Sequence, residues 1–233
     1  MKNLFISGIS RGIGRALSKH LSQEHKVYGS TRNKELFIRD PNNSYFNPEN
    51  IFEIDFLNQK DIENLEEKLA SIHNDIQVLI NNAGMVIFTP FEKSVIEDLQ
   101  VQMNVNLYGA YYLTKQFLPA MLEKREGMII NLISVAALKP FENSSLYGAS
   151  KAALATMFSS IREETRRQKI KITNVILGAT YSEVWDEETR AKLGTRMVQP
   201  ESVSKIISNL IDYAADDDFM VEEIIIRPQF GDL

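Results

Sequence analysis

Short apolar runs rich in β-branched residues recur along this chain, spaced so that a helix fits between most neighbours. That alternation restricts the fold more than any other feature. The runs are "NLFISG" (3–8), "KVYGST" (26–31), "IFEIDF" (51–56), "QVLINNAG" (77–84), "MIINLISV" (128–135), "ITNVILG" (172–178) and "EEIIIRP" (222–228). Segments of helical period lie between them, among them "RALSKHLSQ", "DIENLEEKLASI", "DLQVQMNVNLYGAYYLTKQFLPAML" and "PESVSKIISNLIDYAA". Strands that are apolar throughout, separated by helices, pair in parallel and are covered on both faces. Right-handed crossovers then give a doubly wound, Rossmann-like α/β sheet of seven strands. The Asn- and Pro-rich stretch 39–50 reads as a surface loop within that sheet, since the strand after it extends the same sheet. No internal repeat appears, and residues 1–233 are expected to form a single domain.

Composition removes several classes of function. A net charge of −5 gives no support to nucleic-acid binding. No apolar run approaches the roughly 20 residues of a membrane span, and the start Met1-Lys2-Asn3 runs directly into a strand without a secretory pattern. There is no cysteine, hence no disulfide framework and no thiolate metal site, and a cytoplasmic location is expected. His20, His25 and His73 are scattered, so no metal site is expected.

The first strand runs into "SGISRGIGRAL", with Gly8, Gly12 and Gly14 opening a helix and Ser10, Arg11 and Ile13 between them. Glycines at this junction permit a tight turn and let backbone amides approach a pyrophosphate at the helix N-terminus. The spacing differs from the general dinucleotide fingerprint, so the loop alone is a moderate signal. Further on, "SSLYGASKAAL" sets Tyr147 one helical turn before Lys151. A lysine so placed can favour the ionised phenol, although any helix throws up this spacing by chance.

Taken in order, these elements resemble the short-chain dehydrogenase/reductase family in its compact single-domain branch. The resemblance rests on "SGISRGIG" (7–14), "NNAG" (81–84), Ser134, and Tyr147 with Lys151, and runs from residue 3 to about 178. Ser134 stands 13 residues before Tyr147, and Asn106 stands 28 before Ser134, the family's usual gaps. Asn104 is the alternative to Asn106. The resemblance implies a hydride-transferring oxidoreductase that interconverts a carbonyl and an alcohol. In it Tyr147 is the acid or base, Ser134 holds the carbonyl oxygen, Lys151 lowers the tyrosine's pKa and binds the nicotinamide ribose, and Asn106 organises a water leading to Lys151. It also implies cofactor contacts at Asn82, Ala83 and Gly84, at Asp55 beside the adenine, and at Gly178.

An acid at the end of the second strand would select NAD by binding the ribose 2′-hydroxyl. That strand instead ends in Thr31 and Arg32, with Glu35 past the turn and Arg11 in the glycine loop. Two arginines suit a 2′-phosphate, so NADP(H) is favoured over NAD(H). The family's usual Pro-Gly after strand six is here Leu177-Gly178, and Ser182 stands at its usual threonine, which puts the nicotinamide contact in doubt. Val86, Phe88, Leu138, Phe141, Tyr181 and Trp185 are expected around a cleft for an apolar or aromatic small substrate. A 3-oxoacyl-carrier-protein type of reductase, a non-catalytic NADP-binding regulator and a sugar-nucleotide epimerase are the alternatives. Helical segments 97–122 and 144–165 carry apolar residues over a wide arc, which predicts a homodimer or homotetramer.

Overall fold

A computed structural model describes residues 1–232. All seven expected strands form in one sheet: β1 Asn3–Ser7, β2 Lys26–Thr31, β3 Ile51–Glu53, β4 Val78–Asn81, β5 Gly127–Ser134, β6 Ile170–Leu177 and β7 Glu223–Ile226. Their order is β3-β2-β1-β4-β5-β6-β7, every pair parallel. The chain reverses direction of winding between β1 and β4, and a crevice opens beyond their C-terminal ends, where doubly wound sheets bind ligands.

Two apolar layers explain the strand sequences. Along β1, Phe5 packs into one face, while Leu4 and Ile6 pack into the other. The same alternation divides Ile129 and Ile133 of β5 from Met128, Ile130 and Leu132. One face is covered by α1 (Gly12–Leu21), α2 (Lys34–Arg39) and α9 (Pro200–Asp212). The other carries α3 (Gln59–Glu63), α4 (Leu65–Leu69), α5 (Ile96–Met103), α6 (Gly109–Lys124) and α7 (Ser145–Thr165). The short α8 (Glu187–Leu193) lies beyond β6 in sequence. No helix among the described residues is long and apolar enough to cross a membrane.

One polar rung interrupts the apolar sheet. Asn81, Asn131 and Asn174 stand in register on β4, β5 and β6 and are buried. Asn81 Nδ2 donates to Asn131 Oδ1 at 2.9 Å, and Asn131 Nδ2 donates to Asn174 Oδ1 at 3.1 Å. A slip of one residue would separate all three amides and bury them unpaired, so the ladder fixes the register.

Several boundaries differ from the sequence expectation. The run 51–56 is a strand only to Glu53, because Asp55 turns the chain by accepting from Leu57 N and donating its own N–H to Asp61. The helix expected over 61–72 breaks at Asn64, whose φ of −95° and ψ of 11° separate α3 from α4. Residues 39–50 are more than a surface loop. Phe46 is buried against Phe37, and the Tyr45 hydroxyl lies 2.7 Å from Ser18 Oγ of α1. The helix expected over 97–122 extends from Ile96 to Lys124 but contains a π-turn at Asn104–Tyr108, where Gly109 N–H reaches back five residues to Asn104 O. Such a turn rotates side chains off the regular helical face and is frequent at functional sites.

Candidate active site

The glycine loop is held from below by the neighbouring strands. Gly8 has a φ of 73°, a conformation glycine adopts without strain. Its N–H and that of Ile9 both donate to Ser30 O of β2, at 2.9 and 3.0 Å. Asn82, just past β4, donates from Nδ2 to Ser7 O at 2.8 Å and Gly8 O at 2.9 Å, and the Asn82 and Ala83 amides both donate to Ser7 Oγ. A Cβ on Gly14 would stand 2.0 Å from Gly8 O, so helix and strand approach this closely only without a side chain. Arg15 reaches back to Ser10 O through Nε and Nη2, and pairs with Asp40 at 2.8 Å. No side chain caps the N-terminus of α1, whose amides therefore remain directed at the crevice.

Above the loop lies one cavity of about 700 Å³. Gly8, Ser10, Arg11, Gly12, Ile13, Gly14, Thr31, Arg32, Asp55, Asn82, Ala83, Gly84 and Gly178 all line it. Arg11 and Arg32 are exposed at its rim, whereas Glu35 is absent from the wall and pairs with Arg39 on the surface.

Ser134, Tyr147 and Lys151 line the same cavity at the end of β5 and the start of α7. Ser134 Oγ accepts from Ala136 N at 3.1 Å, which leaves its own proton free to donate. Lys151 is buried, and its Nζ donates to Leu132 O at 2.8 Å. Burial brings its pKa down to about 8. The expectation that Lys151 depresses the Tyr147 pKa is not met. Burial dominates and raises the phenol, while the hydrogen bond with Ser134 pulls the other way. Lysine's charge is directed at a strand carbonyl and does not outweigh the loss of water around the ring.

Asn106, on the π-turn, is fully buried and lies outside the cavity wall. Its Oδ1 accepts from Met85 N at 2.8 Å, and Nδ2 donates to Met85 O and to Ser150 Oγ, both at 2.9 Å. Ser150 in turn donates to Tyr147 O at 2.8 Å. Asn104 makes none of these contacts. Gln102, one turn before Asn106, and Ser150 were not singled out in the sequence; two amides four residues apart on a helix facing the sheet were the available signal.

Four of the six expected cleft residues line the cavity: Val86, Phe88, Phe141 and Trp185. Leu138 and Tyr181 do not. Leu138 ends a 3₁₀ turn and is 56% exposed. Tyr181 is drawn aside by its amide's bond to Val198 O, and its ring lies against Gly194. Ser182, at the family's threonine position, lines the cavity beside Gly12. No group of acidic and histidine side chains among the described residues could hold a metal ion.

Residues 2–193 match the family model described as short chain dehydrogenase. The chain belongs to the short-chain dehydrogenase/reductase family. It is 32% identical to the sepiapterin reductase of Chlorobaculum tepidum over 182 residues, covering 77% of this chain and 72% of that one. It is 28% identical to an NADP-dependent 3-hydroxy acid dehydrogenase of Escherichia coli, covering 88% and 86%. Among solved structures, an NADP-bound ElxO superposes with a TM-score of 0.85 over 98% of both chains at 23% identity. A closed serine dehydrogenase with NADP+ superposes with a TM-score of 0.84 over 96% and 94%. This short-chain dehydrogenase/reductase is accordingly an NAD(P)-dependent oxidoreductase with a Rossmann-like fold. Its crevice suits a dinucleotide: the N-terminus of α1 has no side-chain cap, and Gly12, Ile13 and Gly14 of its first turn line the same cavity as Thr31 and Arg32.

Proposed function

We propose that this enzyme reduces a small ketone or aldehyde with NADPH in preference to NADH, using Tyr147 as the acid. The observation that carries this is the shared cavity: Ser134, Tyr147 and Lys151 face the same space as Arg11 and Arg32, with no carboxylate at the end of β2. NADPH, when bound, supplies the hydride. As negative charge builds on the carbonyl oxygen, the Tyr147 hydroxyl gives it a proton and the Ser134 hydroxyl donates a hydrogen bond to it. Lys151 is charged below about pH 8, while burial keeps the Tyr147 phenol protonated and able to act as the acid. Asn106 acts on backbone, tying Met85 to Ser150 and so to the helix that carries Tyr147. Arg11 and Arg32 hold the 2′-phosphate, a preference shared with the NADP-dependent relative. With Val86, Phe88, Phe141 and Trp185 on the wall, the substrate is an apolar or aromatic carbonyl compound. The lack of cysteine supports a cytosolic setting.

The test is NADPH consumption with a panel of ketones and aldehydes, repeated with Tyr147→Phe. Turnover should fall by about 10²- to 10⁴-fold in the variant, with NADPH binding preserved. Near wild-type turnover in Tyr147→Phe removes the assignment.

We further propose a homodimer through the long helices. Tyr108 and Tyr111 are 45% and 44% exposed on the side of the helix away from the sheet, next to the buried Leu113 and Phe117. Light scattering returning 26.6 kDa, the mass of one chain, excludes it.

A further inference from the structure

The wall of the cleft at the substrate end includes residues 84–90, which have no helix or strand of their own. A segment without a ladder must satisfy its backbone in another way. Here every second amide is fixed. Met85 N–H donates to Asn106 Oδ1, Ile87 N–H donates to Gln102 Oε1 at 3.1 Å, and Thr89 N–H donates to Asn143 O at 2.9 Å. Asn106 also returns a bond to Met85 O, so its amide exchanges two bonds with that residue, as a paired strand neighbour would. Gln102 is fully buried, and its Nε2 is held by Asp98 O at 3.0 Å, which aims Oε1 at Ile87.

The consequence lies on the alternate residues. With 85, 87 and 89 fixed, Val86 and Phe88 face the cavity, Met85 borders it as well, and Ile87 and Thr89 do not. Phe88 has no buried socket of its own and is 49% exposed. It meets two rings: Trp185, stacked at 5.9 Å and 25°, and Tyr147, edge-on at 6.4 Å and 68°. Its place is therefore determined by its backbone, which Asn106 and Gln102 hold on one side and Asn143 O holds on the other.

We infer that Gln102 is a positioning residue for substrate: with Asn106 it forms a side-chain clamp in place of a strand, and so sets the Phe88–Trp185 wall against Tyr147. This rests on reading the cavity as the substrate cleft. Gln102 touches neither substrate nor cofactor, so its loss should act on substrate affinity and leave NADPH binding alone.

Trp185 is the only tryptophan in the chain, so its emission reports on the wall without any substrate. Gln102→Met, close in shape, should make Trp185 more accessible to acrylamide. It should raise KM for an accepted carbonyl about tenfold, consistent with one buried hydrogen bond lost. The NADPH Kd should stay within about twofold. Phe88→Ala, at a half-exposed position that the fold does not depend on, should give the same quenching and KM. The double variant should add little to either single one, because both act through one wall. Full additivity, unchanged quenching in both single variants, or equal losses for NADPH and substrate overturns the clamp. A Gln102→Met chain that does not fold leaves Phe88→Ala to decide: unchanged quenching and KM there also overturn it. A wild-type enzyme that consumes no NADPH with any carbonyl defeats the proposed function, while the quenching comparison still judges the clamp.

Discussion

The two ends of the cavity are built by different means. At the cofactor end, the glycine loop hangs from strands: Ser30 O holds two of its amides, and Asn82 and Ser7 lock it to β4. Its closest approach, Gly14 to Gly8 O, is backbone against backbone. At the substrate end, residues 84–90, the loop after β5 and the segment after β6 are stitched by side chains, including Gln102, Asn106 and the Trp185 indole donating to Thr180 O. A site closed by backbone against backbone, as at Gly14 and Gly8 O, accepts almost no change there. A side-chain-built site changes shape when one residue changes, which suits a family that keeps one cofactor class and varies its substrates.

The largest effect expected from this contrast is at Gly14. Gly14→Ala drives a methyl to 2.0 Å from Gly8 O, a backbone atom that cannot swing aside, and to 2.5 Å from Asn82 Nδ2. Overpacking of this kind costs about 1–3 kcal/mol or more, and the shift of α1 should also weaken NADPH. Phe88→Ala at the other end, a half-exposed residue, should leave the unfolding midpoint almost unchanged. Urea unfolding of the two variants side by side checks this. Equal destabilisation would end the distinction between the two ends.

Next comes the charge at the rim. Charge-assisted hydrogen bonds are worth about 1.5–3 kcal/mol, so Arg32→Ala should weaken NADPH by about tenfold or more. NADH, lacking the 2′-phosphate, should bind as before, and the KM for a carbonyl should not move. Cofactor titrations decide. Equal losses for both cofactors, or a wild-type preference for NADH, would mean that Arg32 is only a solvated side chain.

The same division governs what could be read from sequence. The strands were legible because both faces of the sheet are apolar, and the glycine loop because its geometry tolerates few residues. The π-turn was not legible, since Val105, Asn106 and Leu107 suit an ordinary helix as well; only the five-residue reach of Gly109 N–H to Asn104 O reveals it. The raised Tyr147 pKa is not legible either, since helical spacing gives the distance of Lys151 along the chain but not the direction of its ammonium, which turns to Leu132 O. Leu138 and Tyr181 were placed in the cleft by proximity in sequence. The bonds that turn them away, such as Tyr181 N–H to Val198 O, join segments that no periodicity connects.

The smallest effect concerns the substrate end's last stitch. Asp232 lines the cavity and receives Lys139, from the loop after β5, and Arg227, which follows β7. Hydrogen bonds from Arg227 and then Lys139 hold its carboxyl down at about 2, below the ordinary 3.8. A carboxyl depressed on folding contributes stability that is present in full above its unfolded pKa and fades as pH falls through its folded pKa. The window here is therefore about pH 4 down to about 2. The pair is solvent-exposed, so the contribution is small and screened by salt. Asp232→Asn should lower the thermal midpoint only slightly at pH 6, and the gap from wild type should shrink as pH falls through 3 and as salt is added. NADPH affinity should not change, because the tie lies at the other end. A gap that widens on acidification would show that Asp232 stabilises the fold as a neutral hydrogen-bond partner and not as a charge.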